Sequence, residues 1–173
     1  MREYGYNTRR SSLILKNRIY FIIRYAMLAA LLAAVIIIAA SGKKESKSSF
    51  AAVSEAVTRL ATSEYMEESP ARYMKKIYGL NPEDYENILI YIPTTNMSAQ
   101  ELLLVKLRSA DQSDAVVEAI ENRMESQYNI FEGYAPEQVA ILDNAVVDPQ
   151  GNYILYISGD NAEKIDEAFR SSL

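Results

Sequence analysis

Apolar residues follow three rhythms along the chain, and each predicts a different kind of element. From Ile19 to Ala40 they run almost unbroken, with Arg24 the one charge. As a helix this run is about 33 Å long at ~1.5 Å per residue, enough to cross a hydrocarbon core of ~30 Å with some tilt. Tyr25–Ala40 alone would reach only about 24 Å. The run is apolar around its whole circumference, which argues against a helix lying on a soluble core. Arg24 sits near its N-terminal end, where a long basic side chain can reach back to the headgroups.

The second rhythm has a period of three to four residues. Phe50, Val53, Val57, Leu60 and Ala61 predict a helix over 49–65. A second helix is predicted from Pro70, with Met74, Ile77 and Tyr78 on one face and Gly79 as its left-handed cap. Asn81-Pro82-Glu83-Asp84 has the cap, proline and acids of a new helix start. Val117, Ile120, Met124, Tyr128 and Phe131 mark the longest helix, 112–131, stopped by Gly133. Pro136 opens a short helix, and the last, 161–171, is expected to be capped by Asp160 with Glu163 three residues later.

The third rhythm is that of strands. Ile88–Ile92 ends at Pro93. For 101–107 two signals compete: Ser98-x-x-Glu101 fits a helical capping box, whereas the continuous Leu102-Leu103-Leu104-Val105 fits a buried strand, and the strand is preferred. Ala145–Val147 and Asn152–Ile157 flank Asp148-Pro149-Gln150-Gly151, a turn signal predicting a hairpin. The expected architecture is α+β: an N-terminal transmembrane helix, then a mostly antiparallel four-stranded sheet with helices against one face.

Charge divides the chain the same way. Residues 1–42 hold six of the 18 basic side chains and one of the 23 acids, leaving 12 bases and 22 acids in 43–173, a net of −10 there. The domains read as a basic cytoplasmic tail (1–18), a membrane segment or signal sequence (19–40), a flexible polar linker (41–49) and an extracytoplasmic domain (50–173). The basic residues before the segment keep the N-terminus cytoplasmic and place the rest outside. Ala39-Ala40-Ser41-Gly42 leaves cleavage as a signal peptide, and so secretion, as the alternative. The acidic domain repels phosphate, so no nucleic-acid partner is expected. No Cys and no His are present, which excludes thiol chemistry, a lipoprotein anchor and the usual neutral-pH base; no cofactor is expected.

Glu101 to Leu107, the helix with Val117, Ile120 and Arg123, the segment Phe131-Glu132-Gly133-Tyr134-Ala135-Pro136-Glu137-Gln138, and Gly151-Asn152-Tyr153 together resemble the bacterial domain of unknown function 4358 over about residues 85–170. The resemblance implies an extracytoplasmic domain of Gram-positive Firmicutes behind a signal or anchor, supports a strand at 101–107, and implies no activity.

Candidate chemistry is sparse. Tyr134 and Glu137 form a candidate ligand or partner contact at the turn after the long helix, although a helix stop, a packing tyrosine and a proline-started turn explain the same residues. Acids cluster at Glu67-Glu68, at Glu83-Asp84-Glu86, and at Asp111 with Asp114; such pairs can do acid–base work or hold Ca²⁺, but no stretch resembles an EF-hand loop, and complementing a helix dipole explains the latter two groups. Ser41-Gly42-Lys43-Lys44 matches a bare Ser-x-x-Lys pattern without its companion motifs. Thirteen tyrosines suit either a binding face or a packed core. The function expected is a non-enzymatic binding or assembly module of the envelope, engaging an envelope protein or wall component. The alternative is a carboxylate-dependent hydrolase of wall glycan or peptide.

Overall fold

The structure is a computed structural model that describes residues 23–28, 30–33, 45–61 and 64–173. The chain divides into two units, 1–42 and 43–173. In the first, 23–28 and 30–33 are helical and every residue described there is exposed, including Ile23, Met27 and Leu31. Among the described residues no helix is long and apolar enough to cross a membrane; the rest of the 19–40 run and the Ser41–Lys44 pattern lie outside them.

The second unit is built on one sheet of β1 (Met66–Ser69), β2 (Asn87–Pro93), β3 (Glu101–Lys106), β4 (Val146–Gln150) and β5 (Tyr153–Ser158). Its order is β1-β2-β3-β5-β4, and every neighbouring pair is antiparallel. The sheet therefore has five strands, not four. The added strand, Met66-Glu67-Glu68-Ser69, pairs Met66 with Pro93 and Ser69 with Ile90. It is short and acidic, as suits an exposed edge. The other edge, β4, runs through Pro149, which an edge strand tolerates because one side of its backbone needs no ladder donor. The hairpin turn accordingly falls at Gly151-Asn152, with Gly151 at φ 60°.

Helices cover both faces rather than one. α1 (Phe50–Ala61) and α5 (Ala162–Ser172) bury Val53, Val57, Ile165 and Phe169 against Leu102, Leu104, Tyr153, Leu155 and Ile157. α2 (Tyr73–Tyr78) and α3 (Ser113–Phe131) cover the opposite face, where Met74, Val116 and Ile120 meet Leu103, Val105, Ile154 and Tyr156. Alternate residues of β3 and β5 thus enter two cores, which is why both strands read as continuous apolar runs. A smaller cluster of Ala99, Phe131, Ala135 and Leu142 packs α4 (Pro136–Asp143) beside the end of α3.

Several boundaries shift. α2 begins at Tyr73, and Gly79 caps it at φ 72° as expected. Asn81–Asp84 gives only a single 3-10 turn, Pro82–Asp84. α5 starts after Asn161 without a side-chain cap, so Asp160 does not cap it. The linker's described part, 45–49, is tied down: Ser46 and Ser48 donate their hydroxyls to the Leu173 carbonyl at 3.0 and 3.1 Å, and Tyr153 donates to the Ser48 carbonyl at 2.8 Å.

Candidate functional site

β3 is buried along all but its last residue, and its first residue is a glutamate. Glu101 shares the face of Leu103 and Val105, so strand alternation drives its carboxylate into the core beneath α2 and α3. Its side chain is 1% exposed. A carboxylate there is tolerated only if its lone pairs are satisfied. Arg123 of α3 supplies most of the compensation. Its Nε donates to both carboxylate oxygens, at 3.1 and 3.2 Å, and its Nη2 donates to Oε1. Gln127, one turn further along α3, donates to Oε1 at 2.9 Å, and Tyr78 at the end of α2 donates to Oε2 at 3.2 Å. The strand's start is fixed as well, because the Glu101 amide donates to Ser158 Oγ at 3.0 Å.

The electrostatics follow from this arrangement. Burial alone would lower the pKa of Arg123, but hydrogen bonding to Glu101 and its charge outweigh that and raise it. Burial pushes the Tyr78 hydroxyl well above its ordinary value, and the Glu101 charge adds to the shift. Tyr156, edge-on to Tyr78 at 6.5 Å between ring centroids, is raised by burial first and by Glu101 second. Its hydroxyl is buried and makes no hydrogen bond by geometry, although Ser158 is near enough to pull its pKa partly back.

This cluster floors a groove of about 390 Å³ between α2, the 94–98 loop and α3. Tyr73, Ile92 and Ile130 give it apolar wall; Lys76, Thr94 and Ser98 give it polar groups. Arg123 also lines a second depression, of about 280 Å³, where α3 passes Ile77 and Tyr78 of α2. Around the first groove, Ile130 is 49% exposed and Met97, in the loop, 58%.

A second polar cluster lies on the other face of the sheet. Asp148 of β4 and Asp166 of α5 share Arg170, whose Nε is 2.8 Å from Asp148 and 3.1 Å from Asp166. Burial, then hydrogen bonding and charge from Asp148, push Asp166 up to about 6, while Arg170 pulls it down. Among the described residues no group of three or more His, Cys, Asp or Glu is placed to hold a metal.

Tyr134 and Glu137 stand apart from both clusters. Tyr134 is 55% exposed with its ring 6.0 Å from Phe131, and Glu137 is exposed in the first turn of α4. The segment around them acts as a helix stop and start: Gly133 takes φ 92°, Pro136 opens α4, and Gln138 accepts the Ala99 amide at 2.8 Å. Of the tyrosines, Tyr78, Tyr85, Tyr153 and Tyr156 are buried and Tyr128 is half-exposed. The groove's key residues, Glu101, Arg123 and Gln127, carry no local motif. Their signal is a charge in the inward phase of a strand together with a base and an amide, four residues apart, on a helix's apolar face.

No curated protein and no solved structure matches the chain. The sequence pattern of one family, described as a domain of unknown function (DUF4358), matches residues 60–159. The match takes in all five strands, Glu101, Arg123 and Gln127, and begins and ends earlier than the 85–170 expected from sequence. It spans more than half of the chain, which therefore belongs to the DUF4358 family.

Proposed function

We propose that the protein is a membrane-anchored, non-enzymatic binding or assembly module of the Gram-positive cell envelope. In this reading residues 19–40 lie in the membrane, the N-terminus is cytoplasmic, and the 43–173 unit stands outside. The observation that carries the binding role is the groove over Glu101 and Arg123. It combines apolar walls, hydrogen-bonding groups and exposed Ile130, the mix expected of a surface that receives another molecule. A two-carboxylate hydrolase needs two acids converging on a substrate. Glu101 is the one carboxylate among the residues lining this groove, and Arg123 already engages it.

The test is a crosslinked pull-down of the full-length, C-terminally tagged protein from its native membranes, alongside Ile130→Asp. One envelope protein or wall component enriched with the wild type and lost with the variant is the expected result. The same set recovered with both would remove the groove from the function, and release of soluble wall fragments by the purified protein would favour the hydrolase.

A further inference from the structure

The groove has one feature that a merely structural ion pair does not need: Arg123 is only half used. A guanidinium carries five N–H donors arranged as two forks, one formed by Nε and Nη2 and the other by the two terminal nitrogens. Glu101 takes the first fork. The second, one N–H from each terminal nitrogen, has no protein acceptor among the described residues, and it matches the spacing of another carboxylate. The Arg123 side chain keeps 22% of its surface exposed, shared between this groove and the neighbouring depression beside Ile77 and Tyr78.

The surroundings suit an anion at that point. Lys76 lines the same groove with Nζ 5.5 Å from the Tyr73 ring centroid, and Arg72 lies 5.8 Å from the same ring. With Lys75 they make a basic strip on a unit of net charge −10. Glu101 is neutralised by contact, and Glu67, paired with Ile92 across β1 and β2, is the acid that the register places next to the groove's apolar wall; acids farther than about 8 Å are screened at physiological salt. Beside the charged end, Ile92 and Ile130 offer apolar wall, and the volume suits a few residues of extended peptide.

We propose that the groove receives the C-terminal end of a partner protein, with its α-carboxylate on the outer fork of Arg123 beside Lys76 and its last, apolar side chain against Ile92 and Ile130. The inference rests on the binding-module reading and names the partner's chemistry. The apolar wall favours a protein end with a bulky last residue over a wall peptide ending in alanine, which would leave that wall uncovered. Glu101 fixes the guanidinium before the ligand arrives, so little ordering is left to oppose binding.

The experiment uses the full-length chain in detergent micelles and fluorescence anisotropy with three labelled hexapeptides. One ends in leucine with a free carboxylate, one is its C-terminal amide, and one ends in D-alanyl-D-alanine. The free acid is expected to bind at least about tenfold more tightly than the amide. Arg123→Lys keeps a positive charge for Glu101 but has no second fork; it should melt cooperatively and lose about tenfold in affinity. Lys76→Gln should lose roughly threefold to tenfold with an unchanged melt. The proposal is overturned if acid and amide bind alike, if neither binds at millimolar concentration, or if Lys76→Gln and Arg123→Lys both bind as the wild type does. Tighter binding of the D-alanyl-D-alanine peptide would also overturn it, by assigning the site to wall peptide. If Ile130→Asp abolishes equal binding of acid and amide, the carboxylate assignment falls while the groove as a binding surface stands.

Discussion

Replacing Glu101 with glutamine isolates what the buried ion pair does. The substitution keeps shape and volume and removes one charge. Arg123 then loses its counter-ion while its side chain stays 22% exposed. Breaking a buried pair from one side costs about 3–5 kcal/mol. Because water still reaches part of the guanidinium, the lower end applies. The new amide also directs two N–H groups into a site where Arg123, Gln127 and Tyr78 already donate, so at least one donor loses its acceptor, at about 1 kcal/mol. The expected loss is therefore about 3–4 kcal/mol, a large share of the ~5–15 kcal/mol that holds a domain folded. For a unit of this size that corresponds to a fall in Tm of about 12–16 °C. The assay is thermal unfolding of the full-length protein in one fixed detergent, read by near-UV tyrosine circular dichroism. Replacing both partners, Glu101→Gln with Arg123→Met, should restore much of the loss, because the uncompensated charge goes with the arginine. A Tm for Glu101→Gln within about 3 °C of the wild type, or a double variant as damaged as the two singles added, would refute the reasoning.

Four further outcomes follow from the same geometry. Tyr78→Phe should cost about 1–2 kcal/mol by removing a donor to a charged acceptor, whereas Tyr156→Phe should be neutral or slightly stabilising because its buried hydroxyl makes no hydrogen bond; chemical denaturation of the pair distinguishes them. Asp166 is raised from 3.8 to about 6 on folding, so the folded state holds the extra proton. Its unfavourable contribution at neutral pH should fade as pH falls through 6 and be gone below about 4. The unscreened shift would be worth about 3 kcal/mol, and screening at this surface cluster beside half-exposed Arg170 brings it to about 1 kcal/mol. Asp166→Asn should raise stability at pH 7 and flatten the wild-type difference between pH 4 and 7, and a parallel pH profile for the two proteins would contradict this. Gly133→Ala has room for its methyl group but forces alanine to φ 92°, so a loss of about 1–2 kcal/mol is expected from strain alone, measured as a Tm shift.

The sequence made visible those elements whose signal is local. Val53, Val57 and Ala61 recur within one helix and are buried where the spacing puts them. Pro136 and Gly79 act within a single turn. What escaped depends on partners far along the chain. β1 has two acids in four residues and becomes a strand only because β2 offers an edge. Pro149 looks like a turn corner until β4 proves to be an edge strand, where the missing N–H costs nothing. The stripe of α3 shows the same limit. Spacing put Val117, Ile120, Met124, Tyr128 and Phe131 inward; Ile120 and Phe131 are buried and Val117 and Met124 pack half-buried against the core, but Tyr128 is exposed, and Ser113, Val116 and Gln127 are buried without having been marked by the apolar spacing. Arg123 and Gln127 of that helix meet Glu101, a partner lying 22 positions before Arg123 that spacing within the helix does not reveal.

That long-range contact bears on why the pair exists. A buried ion pair contributes little net stability compared with apolar side chains of similar volume. The face around Glu101 is otherwise filled by Leu103, Val105, Ile154 and Met74, so another apolar residue would suit the core equally well. What an apolar residue could not do is hold a guanidinium at the floor of a groove, with one fork committed and the other free. The ion pair is better explained by the position it fixes than by the energy it adds. Stability and binding should therefore separate: variants that keep Glu101 satisfied but alter the outer fork should lose ligand without losing the fold.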